Sequence, residues 1–280
     1  MELLYSAMDT LLPFAWAGHA FMKHAFLAVL LVMPLFGLLS TMVVSSRMAF
    51  FSDSLGHGAF TGIAIGALLG AVSPLASLLV FSVAFALFIT YIKNKSTAST
   101  DTVIGVFSST AIAVGLMIMS YGGSFNKFSS YLVGDILSIT PQELGALLAV
   151  FLLVLFVWGL LFNKLLVLSI NPSFARSRGV NAYLAESLFA ATLAVVVSIS
   201  IQWVGILIIN AMLVLPAAAA RNLAGNVKQY HFLSVLIALA AGISGLILAY
   251  YFNMAAGATI VVISAAVFFA TLFLKPYFVR

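Results

Sequence analysis

A chain of 280 residues that is 64% hydrophobic and only 7% charged, at a mean hydropathy of +1.22, is not a soluble domain. The net charge of +5 does not point to nucleic acid, because the basic residues are few and dispersed between apolar stretches, where they read as topology signals. With no cysteine there are no disulfides, thiolate ligands or redox motifs.

Uncharged runs of about 20 residues are what the bilayer core demands of helices, which satisfy their own backbone there. The expected fold class is therefore all-α: one polytopic membrane domain over 1–280. Residues 1–24 carry Glu2, Asp9, His19, Lys23 and His24 among Phe14, Trp16 and Phe21. That mixture predicts an interfacial helix. It lacks a basic region followed by a small-residue cleavage site, so no removable signal peptide is expected. Ala25 to Ser45 is the first span, closed by Arg47.

The next segment, about Phe50 to Gly70, carries the chemistry. Asp53 and His57 stand four residues apart, on one face of a helix, where they can hold one ion between them. Ionisable groups inside a span are expensive and by default point to function, and an acid with a histidine suggests a divalent metal. Gly58, Gly62, Gly66 and Gly70 repeat at the same spacing beside the Asp53–His57–Thr61 ridge. Such a bare stripe lets another helix approach closely. Together the two rows predict a pore with a metal-binding step.

Gly58 to Ile92 holds 35 uncharged residues, enough for two helices broken at Gly70 to Pro74. Ser187 to Ala220 divides near Ser200 to Trp203, and Gln229 to Leu274 near Tyr250 to Gly257. Thr102 to Ser120 and Leu144 to Phe162 supply single helices, for eight to nine spans in all, nine by this division. If the chain enters the first span from outside, ten of the basic residues fall in the cytoplasm and only Lys23 and Lys127 outside, so the N-terminus is placed outside and the C-terminus inside.

Two loops stand out. The outer one, Tyr121 to Gln142, contains the half-polar segment Tyr131 to Leu137, whose Tyr131 and Asp135 could line a pore entrance. The inner one, Asn171 to Gly179, combines an N-cap, a proline at the first helical position and a glycine stop, which predicts a short basic cytoplasmic helix able to engage a soluble partner. Asn210, inside a span, reads as an interhelical hydrogen bond, and Glu186, near the cytoplasmic end, as a group that can reach water.

Arg47 to His57, Asp101 to Gly105, Tyr131 to Leu137, Asn171 to Gly179, Val204 to Ile208 and Pro216 to Arg221, in that order, resemble the permease family of bacterial ABC importers for zinc, manganese and iron. The resemblance implies the ABC importer permease fold, a homodimer in the bacterial plasma (inner) membrane, two cytoplasmic ATPase subunits and an extracytoplasmic metal-binding protein that delivers the ion. It implies that Asp53 and His57 are transport ligands, and that 171–180 is the coupling helix, with Ser173, Phe174, Ala175, Arg176, Arg178 and Gly179 engaging the ATPase. Tyr131 to Leu137 is similar to the zinc branch, though Val133 stands where phenylalanine is common. Zinc is the expected cargo, with manganese or iron(II) as alternatives, since carboxylate and imidazole suit all three. No resident cofactor is expected.

The chain has no Gly-x-x-x-x-Gly-Lys-Ser/Thr, so it cannot cradle ATP phosphates itself. An ATP-independent secondary transporter is the first rival, although only Asp53 and Glu186 qualify as intramembrane acids. An intramembrane hydrolase built on Ser54 and His57 lacks both an orienting acid other than Asp53 and a His-Glu-x-x-His motif.

Overall fold

The computed structural model describes Tyr5, Met8 and residues 14–70, 73–121 and 130–278. All regular structure among them is helical. In chain order the helices are α1 (Ala20–Ser45), α2 (Ala49–Leu68), α3 (Pro74–Lys95), α4 (Thr100–Tyr121), the short α5 (Ser130–Val133), α6 (Pro141–Ile170), the short α7 (Pro172–Ser177), α8 (Ala182–Val204), α9 (Ile206–Leu223), α10 (Val227–Phe252) and α11 (Ala256–Phe278). Seven of them, α1, α3, α4, α6, α8, α10 and α11, are long and apolar enough to cross a membrane, and Ile208–Leu223 within α9 is a shorter apolar helix. The 20-residue α2 is long enough but is not among them, because Asp53, His57 and its glycines and hydroxyls dilute its hydropathy. Against the eight to nine expected spans, seven helices among the described residues have the length and hydropathy to cross a membrane, with α2 and the shorter apolar helix of α9 besides.

Local signals set most boundaries. Ser73 Oγ accepts from Ala76 N–H ahead of Pro74, and Asn226 Oδ1 accepts from Gln229 N–H to open α10. At the start of α6, Thr140 and Glu143 form a reciprocal capping box. α10 ends on Asn253 in the left-handed conformation (φ 52°), inside the expected break. α6 overshoots its expected end at Phe162 and runs 30 residues to Ile170, because Lys164 is exposed and interrupts nothing.

Three expectations are corrected. The interfacial segment 1–24 is not a separate helix at its end: α1 begins at Ala20, with Lys23 buried against the Tyr5 ring and the His24 ring bonded to the Tyr5 hydroxyl. Trp16 and Ala17 just before it are buried in the core, while 1–4, 6–7 and 9–13 lie outside the described residues, as do 122–129 of the outer loop. Gly70 is not part of the glycine stripe, since α2 ends at Leu68 and Gly70 turns the chain at φ 66°. The break in the second of these runs, Ser187 to Ala220, falls at Gly205 rather than near Ser200 to Trp203, because Gln202 stays helical and uses its side-chain amide to donate to Glu143 Oε1 at 3.0 Å.

α1 lies at the centre, packed on α10, α9 and α6. Its crossing with α10 is backbone on backbone at Gly37, where a Cβ would stand 2.6 Å from Val235 Cα. Ser40 and Ser234 hydroxyls both donate to Gly37 O, at 3.0 and 2.6 Å, so the contact is polar as well as close.

A second close crossing fixes the outer segment. Gly134 (φ 72°) and Gly205 (φ 89°) meet backbone to backbone; a Cβ on Gly205 would lie 2.3 Å from the Val133 carbonyl, and one on Gly134 2.3 Å from Gly205 N. Asp135 N–H donates to Gln202 O at 3.2 Å. The loop is thereby seated in the gap between α8 and α9.

Gly205→Ala is expected to cost on the order of 3 kcal/mol or more, since it adds a clash to left-handed strain that only glycine accepts. Gly70→Ala, with open space around its Cβ, should cost only about 1 kcal/mol of strain. Thermal unfolding of the two detergent-solubilised variants checks the contrast.

Candidate functional site

α2 is held on three sides by three different means. Toward α3, Gly58 and Gly62 lie under Phe85 and Phe81: a Cβ would come within 2.6 Å of the Phe85 ring and 2.9 Å of Phe81 Cβ. Toward α4, buried Thr61 donates its hydroxyl to Ala111 O and stands over Gly115, where a Cβ would meet Thr61 Oγ1 at 2.9 Å. Toward α9, a Cβ on Gly56 would stand 3.4 Å from Ile206 and 3.7 Å from Ile209, and Ser52 Oγ donates to Asn210 Oδ1 at 2.6 Å. Asn210 is an interhelical hydrogen-bond partner, as its place within a span led one to expect.

On this clamped helix Asp53 and His57 do meet. His57 Nε2 lies 3.5 Å from Asp53 Oδ2, with side chains 27% and 42% exposed respectively. A metal bound at about 2.0–2.1 Å to both atoms would subtend an angle of roughly 115°, close to tetrahedral, so the pair as it stands can chelate. A small closure gives the right angle of a six-coordinate ion, so the separation does not choose between metals. No group of three or more His, Cys, Asp or Glu side chains that could hold a metal ion occurs among the described residues; Asp53 and His57 stand as a pair.

Asp53 faces a cleft of about 260 Å³ between α2 and α4, lined also by Phe50, Asp101, Ile104, Gly105, Ser108 and Ser109. Asp101 and the two serines add oxygen atoms to the same space, and none of them had been assigned a role from the sequence. The only signal was indirect: Asp101 sits in a recognisable motif, but nothing in its spacing from Asp53 reveals that α4 folds back beside α2. Gly56 and Gly115 were missed in the same way, being single glycines without a period.

At the other candidate positions the chain uses side chains for local order. Asp135 Oδ1 accepts from Leu137 N–H at 3.0 Å and caps the 3-10 turn Ile136–Ser138, although the residue remains exposed. Tyr131 is half-buried; burial, with the Glu143 carboxylate second, pushes its phenol above the ordinary tyrosine range. α7 forms as its motif demands: Asn171 Oδ1 accepts from Phe174 N–H at 3.0 Å, Pro172 opens the turn and Gly179 closes it at φ 76°. Ala175 is fully buried, while Ser173, Phe174, Arg176 and Arg178 are exposed, with the Arg178 guanidinium 5.1 Å over the Phe174 ring. An apolar knob flanked by two cations therefore projects from this face. Glu186 does not simply reach water: Lys93 Nζ donates to its Oε2 at 2.8 Å.

A family model described as the ABC 3 transport family matches residues 18–275. The chain belongs to that family. Among relatives of this ABC 3 transport chain, the manganese import system permease protein ScaB of Streptococcus gordonii is 30% identical over 91% of this chain and 92% of its own length. The high-affinity zinc uptake system membrane protein ZnuB of Buchnera aphidicola is 28% identical over 86% of this chain and 93% of its own. A solved structure of PsaBC from Streptococcus pneumoniae in complex with Fab superposes with a TM-score of 0.81 at 28% identity, covering 99% of this chain and 97% of that one. The polytopic, multi-pass membrane architecture expected from composition is that of an ABC transporter permease.

Asn210→Leu is expected to remove the Ser52 bond without touching Asp53 or His57, lowering stability by about 1 kcal/mol, the usual scale of an interhelical hydrogen bond in lipid. Thermal unfolding in detergent measures it.

Proposed function

We propose that the chain is the membrane subunit of an ATP-driven importer that passes a divalent transition-metal ion into the cytoplasm through Asp53 and His57. The observation that carries this reading is that an acid and an imidazole sit within chelating distance on a helix too polar to face lipid and enclosed by three others. Nothing in packing requires those two side chains, and an ionisable pair at that position is otherwise a cost.

His57 contributes an imidazole nitrogen, which must be unprotonated to coordinate, and Asp53 a carboxylate that offsets part of the ion's charge. Because two ligands are too few for zinc or manganese, a second copy of the chain facing the first would bring its own Asp53 and His57; a homodimer is part of the proposal. The cargo we propose is zinc, to which the Tyr131 to Leu137 segment points by resemblance. Manganese is the competing cargo, supported by relatives such as ScaB that are named for its import. The remaining partners are an extracytoplasmic binding protein that presents the ion near Tyr131 and Asp135, and two ATPase subunits that take α7 as their handle, in a bacterial inner membrane. Phe174 supplies the apolar contact and Arg176 and Arg178 the charge.

Proteoliposomes containing the chain, its ATPase and its binding protein test the site. Asp53→Ala and His57→Ala should each reduce ATP-dependent uptake of radiolabelled zinc to background, with expression and assembly unchanged; normal uptake by both variants sinks the assignment. Running labelled manganese in parallel identifies the cargo.

Reversal of both Arg176 and Arg178 to Glu should abolish co-purification of the ATPase while metal binding to the solubilised chain persists. An unchanged yield of ATPase would remove α7 from the interface.

A further inference from the structure

The Lys93–Glu186 ion pair has a position that neither the metal ligands nor the ATPase handle explains. Glu186 lies in the second turn of α8, joined to α7 by residues 178–181, where Val180 N–H donates back to Ala175 O at 3.1 Å. Lys93 lies in the last turn of α3, the helix whose Phe81 and Phe85 press on Gly62 and Gly58 of α2. The 2.8 Å bond between them is supplemented by a longer one of 3.4 Å from Asn94 Nδ2, which also donates to Thr90 O, so the carboxylate is held by the end of α3 as a whole.

The pair is also bounded by empty space on two sides. A cleft of about 460 Å³ reaches from it to Ser45 at the end of α1, to Arg47 and Met48 just before α2, and to Pro172, the first residue of α7. A much smaller void on its other side is lined by Met48, Phe51 and Ile104. Phe51, 1% exposed, stands two residues before Asp53. Close-packed interfaces transmit displacement rather than absorb it, and a flexible lysine on a carboxylate keeps its bond while the elements at its ends shift.

We propose that Lys93 and Glu186 are positioning residues that couple α7 to the ligand helix: a movement of α7 carries α8, the ion pair carries α3, and Phe85 on Gly58 carries the turn that holds His57. This rests on the functional reading above.

The test uses the full complex of chain, ATPase and binding protein in proteoliposomes, with ATP hydrolysis and zinc uptake measured on the same vesicles. In Glu186→Gln and Lys93→Gln, hydrolysis should remain within about twofold of the parent while zinc moved per ATP falls about tenfold, the scale of a coupling energy between paired charges. Zinc affinity of the solubilised chain should not change. The double variant Lys93→Glu with Glu186→Lys should recover most of the lost ratio. A parental ratio in either single variant overturns the proposal, as does a reversed pair with the parental melting temperature that stays uncoupled. So does equal loss of hydrolysis and uptake in every variant, which would mark a merely structural bond. A parental complex that moves no zinc or manganese with ATP would instead refute the functional reading, before any variant is compared.

Discussion

Everything in this molecule depends on how a helix bearing a carboxylate and an imidazole can be kept inside an apolar bundle. Lipid offers no hydrogen-bond partners and no hydrophobic drive for helices to associate, so enclosure must come from close packing and a few polar contacts. α2 meets that demand with glycine toward α3, a threonine hydroxyl toward α4, and a small residue with a serine–asparagine bond toward α9. Asp53 and His57 occupy what remains, the partly open side that carries the cleft with Asp101, Ser108 and Ser109.

Among the described residues, Asp53 and His57 form a pair with no third carboxylate or imidazole grouped with them. The contacts that bring α2 and α4 together, at Thr61, Ala111 and Gly115, are separate from the side chains that line the cleft beside Asp53, among them Asp101, Ser108 and Ser109 of α4. α7 buries only Ala175 against its own chain and leaves Phe174, Arg176 and Arg178 projecting.

Much of this was legible in the residues. The i, i+4 pair, the Asn-Pro…Gly frame of α7 and the hairpin breaks at Gly70–Pro74 and Asn253 rest on local geometry that a short stretch of sequence determines, and the structure has each of them. What could not be read were contacts between distant segments. Gln202 looked like a helix breaker because its partner, Glu143, belongs to another helix; Glu186 looked water-exposed because Lys93 is far away in sequence. Gly70 seemed to continue a period that the helix had already left, since spacing alone cannot say where a helix ends. Lys23 and His24 seemed too polar for a span until Tyr5 was seen to cover them.

The crossing of Gly134 and Gly205 has a consequence for the order in which the molecule is made. The outer segment leaves the ribosome before α6, α7 and α8, yet its seat does not exist until Gly205 and the start of α9 have followed. Such a non-local contact carries a loop-closure cost that nearby helix pairs do not. Insertion can therefore proceed hairpin by hairpin from the first half of the chain, while the segment around Gly134 waits unlatched. The seat of this segment is complete only once α8 and the start of α9 have been made, about seventy residues after Gly134 itself.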